Sequence, residues 1–153
     1  MTEVPPAAKE QPSKRDSYFF FIDIASRWAD NDLYGHVNNA TYYTYIDTVV
    51  NRYLIEHGGF DIHNAPVIGI TPETSCRFYR SFAYPEIIEA GLRVGRLGNS
   101  SVTYEVGLFG TGDATSRADG RFVHVFVDRT TQKPASIPPA IRAALERIRV
   151  NKS

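Results

Sequence analysis

Between residues 18 and 59 the chain changes its apolar period twice. Tyr18 to Ser26 is dense in aromatic and β-branched residues and reads as a first strand. A polar stretch follows. Then Tyr42, Tyr45, Ile46, Val49, Val50, Tyr53 and Leu54 recur at three- and four-residue intervals, and Gly58-Gly59 supplies a stop, so the spacing predicts a helix from about Ala40 to Gly58. Tyr, Thr and Val are poor helix formers because they crowd the preceding turn. A helix made of them needs tertiary burial, which predicts a central helix wrapped by sheet.

From Val67 onward the period falls to two. Val67 to Phe82 reads as a strand with alternating stretches. Ile88, Ala90, Leu92 and Val94 alternate with polar or small residues, and after a Gly98-Asn99-Ser100 turn so do Val102, Tyr104, Val106 and Leu108. Gly110 to Asp113 makes another turn. Phe122 to Val127 is almost continuously apolar, as expected of a central strand. Strands joined by such short turns form an antiparallel meander. Pro138 then opens an amphipathic helix with Ile141, Leu145 and Ile148 on one face. The order is β, long α, several β: an α+β domain in which one helix packs across an antiparallel sheet.

Composition narrows the picture. Seventeen Lys and Arg balance seventeen Asp and Glu, so no basic footprint points to nucleic acid or to an anionic membrane. The lone Cys76 excludes an intrachain disulfide and leaves too few thiolates for a structural zinc site. No apolar run approaches the roughly 20 residues of a membrane span. Residues 1–17, rich in Pro, Lys, Glu and Ser and without a signal-peptide core, read as a disordered lead-in to a cytoplasmic domain spanning 18–150.

The chemistry concentrates between the first strand and the helix, in Arg27-Trp-Ala-Asp-Asn-Asp-Leu-Tyr-Gly-His-Val-Asn-Asn-Ala-Thr-Tyr42. Loops on a rigid scaffold are where binding and catalysis concentrate. Asp-x-Asp in a loop is commonly turn or capping chemistry, but Asn38 or Asn39 is better placed than either aspartate to cap the helix. Gly35 permits a turn conformation that other residues resist. The helix start directs unpaired N–H groups at whatever sits in the loop's concavity. A carboxylate facing a carbonyl held there can activate water or attack directly. A metal held by Asp30, Asp32 and His36 is the alternative, although His57, His63 and His124 add no ligand spacing. No cofactor is expected.

These residues carry a resemblance. Trp28-Ala-Asp-Asn-Asp32-Leu-Tyr-Gly-His36-Val-Asn-Asn39-Ala-Thr-Tyr42 resembles the signature of the hotdog-fold acyl-thioester hydrolases, in their 4-hydroxybenzoyl-CoA thioesterase-like branch. Arg96-Leu-Gly-Asn-Ser-Ser-Val-Thr-Tyr104 resembles that family's third-to-fourth strand turn. Val125-Phe-Val-Asp128, Pro134 and Ile137-Pro138-Pro139 resemble its closing strand and last helix. The resemblance covers about residues 19–145 and implies a hotdog fold acting on an acyl-CoA. It maps the catalytic aspartate onto Asp32 and places His36, Asn38 and Asn39 beside it, with the amide near Asn39 polarising the carbonyl. It places Tyr34, Gly35 and Tyr42 along the substrate, and Arg96, Ser100 and Ser101 against the coenzyme A nucleotide.

Tyr34 stands where the plant acyl-carrier-protein enzymes carry an asparagine, which argues against carrier-protein substrates. Asp47 stands where many bacterial relatives have a helix glutamate, and its shorter side chain reads as a solvated position. Trp28, Tyr42, Tyr45 and Tyr53 read as core, with an acyl tunnel as the alternative role for some of them. Two other functions share the fold. One is 2-enoyl-CoA hydration, whose Asp-x-Asn-Pro-x-His pattern is absent here; the other is non-catalytic acyl-CoA binding. A single sheet around one helix leaves an edge strand to be paired or covered. A homodimer or homotetramer is therefore expected, with Arg96 and Ser100 reaching the Asp32 of a partner.

Overall fold

A computed structural model describes residues 11–151. Its elements are β1 (Phe20–Ala25), α1 (Asn39–Gly58), β2 (Val67–Phe78), β3 (Ile87–Leu97), β4 (Ser101–Phe109), β5 (Ala118–Asp128) and α2 (Pro139–Arg147). The strands form one sheet in the order β1-β3-β4-β5-β2. Every neighbouring pair is antiparallel. The meander expected of β3, β4 and β5 is present, and β5 lies inside the sheet, as its continuous apolar run predicts. After β1 the chain crosses through α1 to reach the far edge as β2. The sheet curls round the helix, an α+β hotdog.

Helix α1 forms where the periodicity places it. The Asn38 side chain accepts from Ala40 N (2.9 Å) at its start, and Gly59, at φ +65°, terminates it. Its apolar stripe, Tyr42 through Leu54, is buried on the inner face of the sheet. The approach is so close that a Cβ on Gly120 of β5 would sit 2.4 Å from Ile46 Cδ1. That glycine weakens the strand locally and lets the helix seat on it. The opposite side of α1, with Thr44, Asp47, Thr48 and Glu56, is exposed, so the wrapping is one-sided. α2 closes the end of the core with Ile141, Ala144 and Leu145.

Two expectations are corrected. β2 ends at Phe78 rather than Phe82, because Tyr79 and Arg80 turn their amides to the Arg117 carbonyl (2.8 and 3.1 Å) instead of continuing the ladder. The lead-in is ordered over residues 13–17. Ser13 Oγ donates to Asp119 (2.6 Å), Arg15 N donates to Ala114 O (2.9 Å), and Arg15 pairs with Glu89 (2.7 Å). Short polar side chains there find partners on the sheet that composition does not reveal. Residues 1–10 of the expected lead-in lie outside the described residues.

The edges of the sheet differ. β1 has 6 residues and β2 has 12. Most of β2 is exposed, and its ladder to β5 is interrupted between Ile70 and Glu73, where Thr71-Pro72 falls. A proline is tolerated at such a bulge on an edge strand.

His124 of β5 points inward and is buried. Its Nδ1 has no hydrogen-bond partner among the described residues. Burial lowers its pKa to about 4. The folded protein therefore resists a proton that the unfolded chain accepts near pH 6.5. Stability is expected to fall as pH drops from about 6.5 to 4, by at most about 3 kcal/mol from this residue. Urea unfolding at pH 7 and pH 5 should show the loss, and His124→Leu should flatten that part of the profile; an unchanged slope would exclude His124 as its source.

Candidate active site

The loop between β1 and α1 is held from below by Asp30. Its carboxylate is 2% exposed. It accepts from Arg27 N (2.8 Å), Arg27 Nε (3.0 Å) and the Tyr45 hydroxyl (2.8 Å), and Arg27 Nη2 lies 2.8 Å away. Burial works against the charge, but the hydrogen bonds from Arg27 and Tyr45 and the Arg27 guanidinium outweigh it, so the pKa lies below the usual carboxylate value. The Asp30 carbonyl also accepts from Asn38 N (2.9 Å). One residue thereby ties the loop's entry to the helix start. With both oxygens engaged, Asp30 is a support and offers nothing to a metal. Among the described residues no cluster of three His, Cys, Asp or Glu side chains could hold a metal ion.

Above this anchor residues 31–37 fold back on themselves. Asn31 and Val37 form a bridge, Asp32 N donates to His36 O (2.8 Å), and Gly35 N donates to Asp32 O (3.2 Å). Gly35 takes φ +83°, left-handed backbone in which a side chain would be strained. Asp32 at the turn's base is half-buried. Its Oδ1 accepts from Tyr34 N (2.9 Å) and, at the limit of a hydrogen bond, from His36 N (3.5 Å). Its Oδ2 accepts from no group among the described residues. The two carboxylates of Asp-x-Asp thus differ completely: Asp30 is spent and Asp32 is presented.

A cavity of about 460 Å³ opens beside Asp32, within the range of small-molecule sites. Asp32, Tyr34, His36, Val37, Asn39 and Tyr42 line one side; Phe78, Tyr79, Arg80 and Ser81 line the other. Asn39 opens α1, so its N–H lacks an intrahelical acceptor and lies at the positive end of the helix dipole. Asn38 is occupied as the cap. The Tyr42 hydroxyl accepts from Phe82 N (3.1 Å), and its ring packs on Phe78 at 5.0 Å. Tyr34 is 88% and Trp28 76% exposed, and Leu33 beside Tyr34 is also exposed. The reading of Trp28 as core is therefore corrected: it stands on a turn that buries Asp30 instead, and its ring meets Tyr84 at 5.8 Å. Tyr45 and Tyr53 are buried core residues. Asp47 is exposed, accepts from Asn51 Nδ2 (2.9 Å) and does not line the cavity.

Arg96, Ser100 and Ser101 do not reach this cavity within one protomer. They surround the β3–β4 turn, where Ser101 pairs with Val125 of β5. Phe78, at the cavity, pairs with Ala118, which faces Leu108 of β4. Ser101 and Leu108 are seven residues apart on one strand, roughly 23 Å at a strand's rise. Two further cavities, about 480 Å³ beside the Arg93–Glu105 pair (2.7 Å) and about 640 Å³ beside Arg15, Phe21 and Ala114, are not lined by Asp32.

A sequence model of the thioesterase-like superfamily matches residues 26–145, most of the chain and all of the site. The chain belongs to that superfamily. The PA5185 protein of Pseudomonas aeruginosa strain PAO1 has a crystal structure of the same form, with 50% identity and a TM-score of 0.91; the match covers 94% of this chain and all of that one. PA2801 of Pseudomonas aeruginosa, described as a candidate thioesterase, matches at 28% identity and TM-score 0.77 over 82% of this chain and 96% of its own. The DHNA-CoA thioesterase of Staphylococcus aureus shares the fold at 19% identity and TM-score 0.74, covering 84% and 89%. No curated protein matches. As a superfamily member the chain is a thioester hydrolase.

Within this thioester hydrolase the wall formed by Phe78 to Ser81 is the part that sequence reasoning missed, because the strand pattern continues through Phe82. The Arg-Phe-Tyr-Arg run was the available signal: two arginines and two aromatics at a strand end that has no turn of its own.

If Asp30 supports the loop, Asp30→Asn should lower stability by about 1–3 kcal/mol by leaving buried donors mismatched. Since its folded pKa is depressed, the carboxylate's contribution is complete above the ordinary carboxylate pKa and fades as pH falls below about 4. Urea unfolding of the two proteins at pH 7 checks the first point. Their curves should converge as the solution is acidified; equal stability at pH 7 would refute the support role.

Proposed function

We propose that this protein hydrolyses the thioester of an acyl- or aroyl-CoA, with Asp32 carrying the chemistry. The supporting observation is the half-buried Asp32 carboxylate, one oxygen held by the loop and the other unengaged, in the same cavity as the start of α1. A thioester carbonyl accepting from Asn39 N–H would gain negative charge at the positive helix end as its carbon is attacked. Asp32 either takes a proton from water, whose oxygen adds to that carbon, or adds directly and is later released by water. In the first route the C–S bond breaks as the proton passes from Asp32 to the sulfur. In the second the thiolate leaves an acyl-Asp32 anhydride, which water cleaves while supplying the proton, and both routes end in the acid and free CoA. His36 lines the cavity and joins Asp32 through its main chain. Relatives of the same fold are named as DHNA-CoA and gentisyl-CoA thioesterases, which supports a CoA-linked substrate.

A two-fold dimer through β2 completes the site in this reading. Antiparallel pairing of two β2 edges would set the Val67 end of one sheet beside the Phe78 end of the other. Ser101 stands level with Ile70, towards the Val67 end, and Arg96 level with Glu73, so the pairing brings the partner's nucleotide-facing turn closer to this Asp32. The long exposed edge and the exposed Trp28, Leu33 and Tyr34 support such an assembly.

Asp32→Asn should lower kcat about 10²–10⁴-fold on the best substrate of an acyl-CoA panel and leave KM nearly unchanged. Near-normal turnover would rule Asp32 out.

Mixing inactive Asp32→Asn chains with chains inactivated by Arg96→Ala and Ser100→Ala should restore part of the activity, because some mixed dimers hold one intact site. A fully active monomer in sedimentation at assay concentration would remove both the dimer and the shared site.

A further inference from the structure

Most of the wall opposite Asp32 belongs to a bracket, residues 79–86, outside any strand, which meets the Asp32 turn at Val37 and Asn31 and the first turn of α1 at Tyr42. Phe82 O accepts from Val37 N (2.8 Å), Phe82 N donates to the Tyr42 hydroxyl (3.1 Å), and Tyr84 N donates to the Asn31 side chain (3.1 Å). Asn31 and Val37 are the two ends of the turn that presents Asp32. The position of the carboxylate is thus set partly by where Phe82 stands.

Phe82 stands on Arg117. The guanidinium carbon lies 4.7 Å from the ring centroid, in the range of a cation–π contact. Its Nη1 donates to Ser81 O (3.2 Å) and to Glu86 (2.8 Å), and its Nε donates to Asp113 (2.8 Å). The Arg117 carbonyl accepts from Tyr79 and Arg80 N. Glu86 in turn accepts from Ala83 N (2.8 Å), and its main-chain carbonyl accepts from the Ser26 hydroxyl and amide at the loop's entry. The side chain is only 16% exposed, and Glu86, Asp113 and Arg80 complete a locally neutral cluster around it. Planar donors aimed at several acceptors while a ring covers one face suit arginine and cannot be reproduced by lysine.

We infer that Arg117, although remote from the reacting atoms, is a positioning residue that fixes the register of the Asp32 turn through Phe82. This rests on the assignment of chemistry to Asp32. A misplacement of about 1 Å far from the chemistry can cost up to 10²-fold in rate, so Arg117→Lys should lower kcat roughly tenfold with KM changed less than threefold.

The decisive measurement is a double-mutant cycle on the full-length protein, assayed well below each variant's unfolding temperature. If Arg117 acts through the Asp32 turn, Arg117→Lys should change the residual rate of Asp32→Asn less than twofold. An equal factor in both backgrounds, a change confined to KM, or normal kcat in Arg117→Lys would each overturn the inference. Should Arg117→Lys not fold, Asp113→Asn weakens the same guanidinium from outside the cavity; it should show the same non-additive fall in kcat, and its absence is equally fatal. Full turnover by Asp32→Asn would sink the assignment of Asp32 itself. Normal turnover by Arg117→Lys beside a disabled Asp32→Asn would sink only the role given to Arg117.

Discussion

Helix α1 is built from residues that would not hold a helix in water. Its stripe of Tyr, Ile and Val is helical because the inner face of the sheet buries it, and the contact of Ile46 with Gly120 lets the two approach. Everything at the site depends on that seating. The first amides of α1, the Asn38 cap and the Tyr42 hydroxyl are in place because the helix axis is fixed against β5. The loop before it then has a rigid end to close on.

The two carboxylates of the Asp-x-Asp pair show how environment separates like residues. Asp30 gains Arg27, Tyr45 and a nearly dry surrounding, and becomes part of the frame. Asp32, two residues on, keeps an unengaged oxygen at a cavity. A buried charge is tolerable when its partners are complete. The same completeness leaves Asp30 nothing to offer a ligand, whereas Asp32 keeps an acceptor at the cavity, so two members of one motif stand in opposite environments.

The loop is also held from two sides. Asp30 fixes its entry and its exit from within the sequence motif itself. The 79–86 bracket fixes its turn from across the cavity, through Phe82, with Arg117 behind it. The β2 edge, one side of α1 and the side chains of Trp28, Leu33 and Tyr34 are exposed.

Much of this was legible in the chain. The change of period from two to 3.6 and back located the strands and both helices, because those spacings follow from local backbone geometry. The motif from Trp28 to Tyr42 singled out Asp32 and the helix start, because cap, turn glycine and carboxylate are neighbours in sequence. What the tertiary structure decided is of another kind. It ended β2 at Phe78, ordered residues 13–17, exposed Trp28, buried Asp30 against Tyr45, and set Arg96 and Ser100 far from Asp32 along the chain's own sheet. Each of these is a contact between residues far apart in the chain, or the result of one. No local period encodes such partners; they exist only once the sheet has brought its strands into register and the helix lies across them.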